Sequence, residues 1–343
     1  MRFIQVGVGG FGQRWVSCLK ESRDAQVVAM VDVNEKSLEA ARESAGYDKS
    51  VCFKSLKDAL KAVKADAVVC VTPPKHHRKV VVAAMKAGMD VISEKPMAAS
   101  FIDCKAMLRA AEQTGRSYVV SQNYRYQPET WTMADLVRRG TIGEIGQVNV
   151  DFIMGVDFGG GFRHAMEYPL LVDMSIHHFD LIRFITGLDA VSVTGVAWNP
   201  PWSNYKGKCS SSIVFEMNNG AHVVYTASWC AKGQFTNWNG DWHVEGSKGT
   251  LVYRNNVITH YDVPEVYKVK KTREVKMKSP GKMSQEFVLN DFVKSVKAGK
   301  RPRTDVYDNV RSIGMVFAAV QAVKTGKRVR VLDAETERMI RNK

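Results

Sequence analysis

The segment Gly7-Val8-Gly9-Gly10-Phe11-Gly12 constrains this chain more than any other. It follows a short apolar run, Phe3-Ile4-Gln5-Val6, and precedes a helical stretch from Gln13 to Lys20. A strand, GxGxxG and a helix in that order predict the start of a βαβ unit that binds a dinucleotide. Gly7 permits the tight turn, Gly9 lets a pyrophosphate approach the backbone, and Gly12 lets helix and strand pack closely. The helix N-terminus presents free N–H groups to the phosphates. Gly7, Gly9, Gly10, Phe11 and Gly12 are therefore cofactor-binding candidates. A second strand, Val27 to Val31, ends in Asp32. An acid there can accept hydrogen bonds from both ribose hydroxyls of NAD and would repel a 2′-phosphate, so NAD is expected over NADP. Asp32 can equally form the turn or cap the helix that follows.

The alternation continues. Ala67 to Val71 reads as a buried strand ending in Thr72-Pro73-Pro74, and Lys75 to Ala87 as a helix closed by Gly88. Asp90 to Ser93 is another strand, running into Glu94-Lys95-Pro96. A helix from about Phe101 to Thr114 and a strand from Ser117 to Ser121 follow. Repeated βα units predict a doubly wound parallel sheet over residues 1–122, a Rossmann domain. Ligands of such sheets sit beyond the carboxyl ends of the strands. Thr72, Pro73 and Lys95 stand at that edge, and Pro96 pushes Lys95 towards an extended conformation that aims its ammonium. His77, early in its helix, could reach the cofactor or support the loop.

Beyond Asn123 the texture changes. PETWTMADLVRRG is helical in pattern, and alternating strands then dominate: QVNVDFIMG, VSVTGVAW, SSSIVFEMN, AHVVYTASW and GTLVYRN. This predicts an α+β domain over residues 123–343 with an open, mostly antiparallel sheet. A C-terminal helix at about 305–325 is expected to return to the first domain. One apolar helix, Leu170 to Thr186, carries Asp173, His177 and Asp180 at i, i+4 and i+7, which forms a single stripe. Buried carboxylates and an imidazole cost desolvation energy unless they serve something. Asp180 could fix the His177 ring. His178 points about 100° away and reads as a packing residue. Asp173 and His177 lack an evident third ligand, so no metal is expected.

The bulk properties bound the rest. A length of 343 residues suits two domains, and a hydrophobic content of 45% suffices for two cores. No run of eighteen apolar residues suggests a membrane span, and no leader pattern precedes the first strand, so a cytoplasmic protein is expected. The six cysteines include no CxxC pair and read as reduced thiols. The net charge of +14 is densest in YKVKKTREVKMKSPGK. An edge strand whose lysines block sheet-to-sheet pairing explains that patch better than nucleic-acid binding, for which no motif exists.

Taken together, the motifs GVGGFG, VTPPKHH, AMKAGMDVISEKPMA, QNYRYQP, RRGTIGEIGQV, DMSIHHFDLIRFITG, VEGSKGTL and NDFVKSVKAGKRPR resemble the Gfo/Idh/MocA family nearly end to end. EKP and the DxxxHxxD helix are the specific parts. The resemblance implies NAD(P)-dependent oxidation of a secondary alcohol on a sugar, sugar acid or cyclitol. By position, Lys95, Asp173 and His177 match the family's catalytic residues. Glu94 matches the residue that meets the nicotinamide ribose, and Asn123 and Arg125 match positions near the nicotinamide. Substrate contacts are expected from Lys95, Tyr124, Arg163, Asp173 and His177. Glu167-Tyr168-Pro169 stands where the family often has paired glycines, and Ser175 where glycine is common. The resemblance also implies a homodimer or homotetramer. The open sheet is expected to form the interface, because a large exposed apolar face is a liability in a monomer. Competing readings are an NAD-dependent glycosidase on the same fold and a non-catalytic dinucleotide sensor.

Overall fold

The computed structural model describes residues 1–341 and 343. They form two compact units: residues 1–123, 282–310 and 338–343, and residues 124–281 and 311–337.

The first unit alternates strand and helix: β1 (Arg2–Val6), α1 (Gly12–Glu21), β2 (Gln26–Val31), α2 (Glu35–Ala45), β3 (Cys52–Phe53), α3 (Leu56–Ala62), β4 (Ala67–Cys70), α4 (Pro74–Lys86), β5 (Asp90–Ser93), α5 (Phe101–Thr114) and β6 (Tyr118–Val120). The strand order is β3-β2-β1-β4-β5-β6, all parallel, the doubly wound arrangement. Its strands are buried on both faces, as parallel strands flanked by helices require. Helix starts follow local chemistry. The Asn34 side chain accepts from Ser37 N–H at α2, Ser100 accepts from Asp103 N–H at α5, and Pro74 occupies the first turn of α4.

The second unit holds α6 (Pro128–Arg138), β7 (Ile145–Ile153), α7 (Phe162–Ala165), a π-turn (Leu170–Met174), α8 (Ser175–Thr186), β8 (Ala190–Trp198), β9 (Ser210–Met217), β10 (His222–Ser228), β11 (Asp241–Gly246), β12 (Gly249–Arg254), β13 (Val257–Asp262) and β14 (Lys271–Val275). After α9 (Ser284–Lys297) and α10 (Val306–Thr325), β15 (Val329–Arg330) joins the same sheet, and α11 (Ala334–Ile340) ends the chain's helices. The nine-stranded order is β14-β13-β12-β11-β7-β10-β9-β8-β15. All pairings are antiparallel except β7 with β10. Val148, Val150, Phe152, Phe215 and Tyr225 point to the covered face, where Phe179 of α8 meets Phe215 and Tyr225 edge-on. β14, which carries Lys271 and Arg273 of the basic patch, is an exposed edge strand.

Two expectations change. The second domain is not continuous to residue 343, because 282–310 and 338–343 cluster with the first unit. Phe292 of α9 meets Phe3, while Glu286 and Lys297 pair with Arg14 and Asp24. Only the start of α10, to Val310, belongs with them. Nor is the open sheet face uniformly apolar. Asn149, Asp151, Ser212, Thr226, His243 and Thr250 alternate with the buried residues, and Val196, Trp198, Val214, Val224 and Val252 are among its apolar members.

Candidate active site

Register builds the first half of the site. Val6 aligns with Val31 and Cys70, Cys70 with Ser93, and Ser93 with Val120. The residues that follow, Gly7, Asp32, Thr72-Pro73 and Glu94-Lys95, therefore emerge at one edge of the sheet, and Asn123 lies just beyond β6. Gly7 has φ +89°, and a Cβ there would lie 2.6 Å from Val71 O. A Cβ on Gly12 would lie 2.5 Å from Gly7 O, so this glycine is needed for close helix–strand approach. Around Gly10 the space is open, and α1 begins at Gly12 with Phe11 at its N-cap and no side-chain cap bond. Asp32 accepts Val8 N–H (3.0 Å) and Gly9 N–H (3.3 Å) through Oδ2 and Asn34 N–H (2.9 Å) through Oδ1. It is thus a turn and loop residue, while Asn34 is the helix cap.

Behind this edge lies a second layer. Gln5, a buried polar residue in an otherwise apolar strand, donates to Gly7 O (3.0 Å) and Gly12 O (2.8 Å). Glu94 is tied into the protein itself. Its Oε1 accepts the Trp15 indole N–H (2.8 Å), its Oε2 accepts Lys95 N–H (3.1 Å), and burial raises its pKa. Glu94 thus ties α1 to the Lys95 segment, and the Lys95-Pro96 peptide is cis. His77 supports the loop, the second of the two roles expected for it. Its ring is fully buried, with Nε2 2.7 Å from Thr72 O and Nδ1 3.1 Å from Met97 O. Trp15 and Gln5 escaped the sequence reading. A glutamine inside a four-residue apolar strand was the available signal for one, and nothing local marked the other.

The second unit carries Tyr124, Arg125, Arg163, Asp173 and His177. The expected single helix begins instead with a π-turn, in which Ser175 N–H bonds to Leu170 O, five residues back. Ser175 Oγ also donates to Leu170 O (3.2 Å) and contacts Tyr225 OH (3.0 Å), a use for serine where glycine was expected. Asp173 accepts Arg163 Nε–H at 2.5 Å, and the Arg163 guanidinium lies over Phe158 and Phe162. The buried His177 ring stacks on Tyr124, centroids 4.0 Å apart. Burial, with the Asp173 charge second, pushes the Tyr124 phenol up to about 12, so it stays protonated. The Asp180 carboxylate turns to Arg125 and Ser312. It accepts Arg125 Nε–H (2.6 Å) and Nη2–H (2.5 Å) and Ser312 Oγ–H (2.7 Å). Those two donors of Arg125, expected near the nicotinamide, are committed to Asp180. His178 is a packing residue with bonds to Tyr225 OH (2.9 Å) and Trp238 O (3.0 Å).

Residues 1–122 match the model of an oxidoreductase family with an NAD-binding Rossmann fold, and residues 130–252 match the Gfo/Idh/MocA C-terminal domain. The chain belongs to the Gfo/Idh/MocA oxidoreductase family. Among its curated relatives are a D-apiose dehydrogenase of Paraburkholderia graminis, 25% identical over 97% of this chain and 90% of that protein, and an inositol 2-dehydrogenase of Rhizobium meliloti, 24% identical over 96% of this chain and 99% of that protein. A solved oxidoreductase from Agrobacterium radiobacter, in complex with NAD+, L-tartaric acid and magnesium, shares the fold. It is 21% identical, with a TM-score of 0.86 covering 96% of this chain and 98% of that one.

The residues of this Gfo/Idh/MocA chain fit a dinucleotide. The open space at Gly10, the uncapped N-terminus of α1 and the absence of side chains at Gly7, Gly9 and Gly12 leave a cradle that any Cβ would narrow. Among the described residues, no group of three or more His, Cys, Asp or Glu could hold a metal ion, and no helix is long and apolar enough to cross a membrane.

Proposed function

We propose that this chain oxidises a secondary hydroxyl of a sugar, sugar acid or cyclitol, with NAD rather than NADP as the acceptor. The observation that carries the reading is Lys95, placed directly after β5 at the sheet edge shared with the glycine loop, Asp32 and Thr72. Family membership and the relatives named as apiose and inositol dehydrogenases support the substrate class. The nicotinamide, when bound, supplies the hydride acceptor. His177 takes the hydroxyl proton as general base, and its stacking on Tyr124 holds the ring plane. Lys95 hydrogen-bonds the same oxygen and stabilises the developing alkoxide. Base and electrophile can exchange between these two residues. Arg163 and Asp173 bind neighbouring hydroxyls. Asp32 selects against a 2′-phosphate by charge.

The test is cofactor reduction across polyols, aldoses, sugar acids and cyclitols, run with NAD+ and with NADP+. Lys95→Met should still bind NADH and lose about 100- to 1000-fold in turnover. Unchanged turnover refutes the assignment, and silence across the panel with NADH binding intact favours the glycosidase or sensor readings.

The protein is further proposed to be cytoplasmic and to self-associate through the open sheet face. Specific interfaces need not be more apolar than other surface, so the mixed Thr, Ser, His and Val character of this face does not oppose the role. A monomer by light scattering at micromolar concentration would refute it.

A further inference from the structure

The ladder between β4 and β5 ends where Glu94 N–H bonds to Cys70 O at 2.9 Å. Beyond that rung one chain turns into the Thr72-Pro73-Pro74 loop and the other into Lys95-Pro96-Met97. One side chain next bridges them. His77, in the second turn of α4, places Nε2 2.7 Å from Thr72 O and Nδ1 3.1 Å from Met97 O, and its ring is 0% exposed. Both neighbours are carbonyl acceptors, and a neutral imidazole donates through one nitrogen only. Burial lowers the His77 pKa, which favours the neutral ring. The shorter contact favours the tautomer with its proton on Nε2, so that the hydrogen bond runs to Thr72 O, and the Nδ1 lone pair then faces Met97 O with no proton between them. The tie to Thr72 is local, five residues back, and it holds the turn between β4 and α4. That turn is otherwise built from two prolines that bring no N–H of their own.

We propose that His77 is a positioning residue for the dinucleotide. It touches no cofactor, but it holds the Thr72–Pro74 loop at the carboxyl edge of the sheet in the shape the cofactor meets. The inference rests on the proposed dinucleotide-dependent reaction. Losing the bond should weaken binding without slowing chemistry, because Lys95 is anchored separately through Glu94 and Trp15.

Side-chain geometry makes the idea separable. A glutamine amide can occupy the Nε2 position and donate to Thr72 O, whereas an asparagine amide reaches only the Nδ1 position. Methionine fills the space with no donor. The test measures NADH affinity by fluorescence, amide hydrogen exchange at Thr72, Lys75 and His76 and at Lys95, Met97 and Ala98, and the KM for NAD+ against kcat. His77→Gln should stay within about twofold of the parent in NADH affinity. His77→Asn and His77→Met should lose about tenfold, the scale of one hydrogen bond. They should speed exchange at Thr72, Lys75 and His76 and raise the KM for NAD+ with kcat nearly unchanged. If all three variants behave alike, or if kcat falls while NADH affinity holds, the inference is overturned. Thermal unfolding confirms that each variant folds. If asparagine does not fold, methionine carries the comparison with glutamine. Lys95→Met, run in parallel, reports separately on the reaction. Turnover surviving that change would sink the proposed chemistry, while the NADH affinities and exchange rates would still decide the role of His77.

Discussion

Replacing Asp180 by asparagine should destabilise the second unit severely. Asp180 is 1% exposed and Arg125 6% exposed at their side chains, and the carboxylate takes two guanidinium bonds, at 2.6 and 2.5 Å. Ser312 donates to the same carboxylate at 2.7 Å and accepts from Arg183 Nη1 at 2.8 Å. Asparagine keeps the shape and removes the charge, which leaves a buried guanidinium without its carboxylate. Breaking one side of a buried pair costs about 3–5 kcal/mol. For a unit of this size, about 2–4 °C of midpoint accompanies each kcal/mol, so a fall of about 6–20 °C is expected. Circular dichroism during a thermal ramp measures it, with fluorescence as a second probe of the same transition. The double change Arg125→Met with Asp180→Leu removes both charges and should unfold above either single variant, because desolvation offsets much of the pair's attraction. A shift below about 2 °C for Asp180→Asn would refute the reasoning, since it would mean that the pair is hydrated. So would a double variant less stable than both singles.

Two further outcomes follow from local geometry. A Cβ on Gly12 meets the Gly7 backbone at 2.5 Å, whereas one on Gly9 meets the Ser37 hydroxyl at 2.8 Å, a side chain that can turn away. Gly12→Ala should therefore lower the melting temperature and NADH affinity together, at the roughly 1–3 kcal/mol of overpacking. Gly9→Ala should lower affinity with little change in melting, and equal melting losses in both would count against these roles. Burial lowers the His178 pKa to about 4, from about 6.5 when unfolded. Between these values the unfolded chain binds a proton that the native protein excludes. Stability from the neutral ring is therefore complete above about pH 6.5 and is lost as pH falls towards 4, by up to about 3 kcal/mol. The dependence of melting temperature on pH over that range should flatten in His178→Asn, and an unaltered slope would remove His178 as its cause.

Much of the first unit was legible along the chain. β1 is closed by Gly7, β4 by Thr72-Pro73 and β5 by Lys95-Pro96, and each turn that carries function follows its strand within a residue or two. Lys95 could be placed from Asp90–Ser93 alone, because a parallel strand delivers the next residue to one edge. The polar helix was legible only in outline. Its spacing assumed 3.6 residues per turn throughout, and the π-turn at Leu170–Met174 breaks that period.

What sequence by itself determined is therefore local: the βα alternation, the glycine cradle, the acid ending β2 and the lysine ending β5. These follow from periodicity and from steric rules acting over a few residues. Tertiary structure decided the partners. Asp180 bonds Arg125, 55 residues away, and Ser312, 132 residues away, rather than a neighbour on its own helix. Asp173 turns to Arg163, Glu94 to Trp15, and residues 282–310 return to the first unit. A buried charge takes whichever counter-charge the packed helices and sheets bring within hydrogen-bond reach, and that proximity is a property of the whole fold.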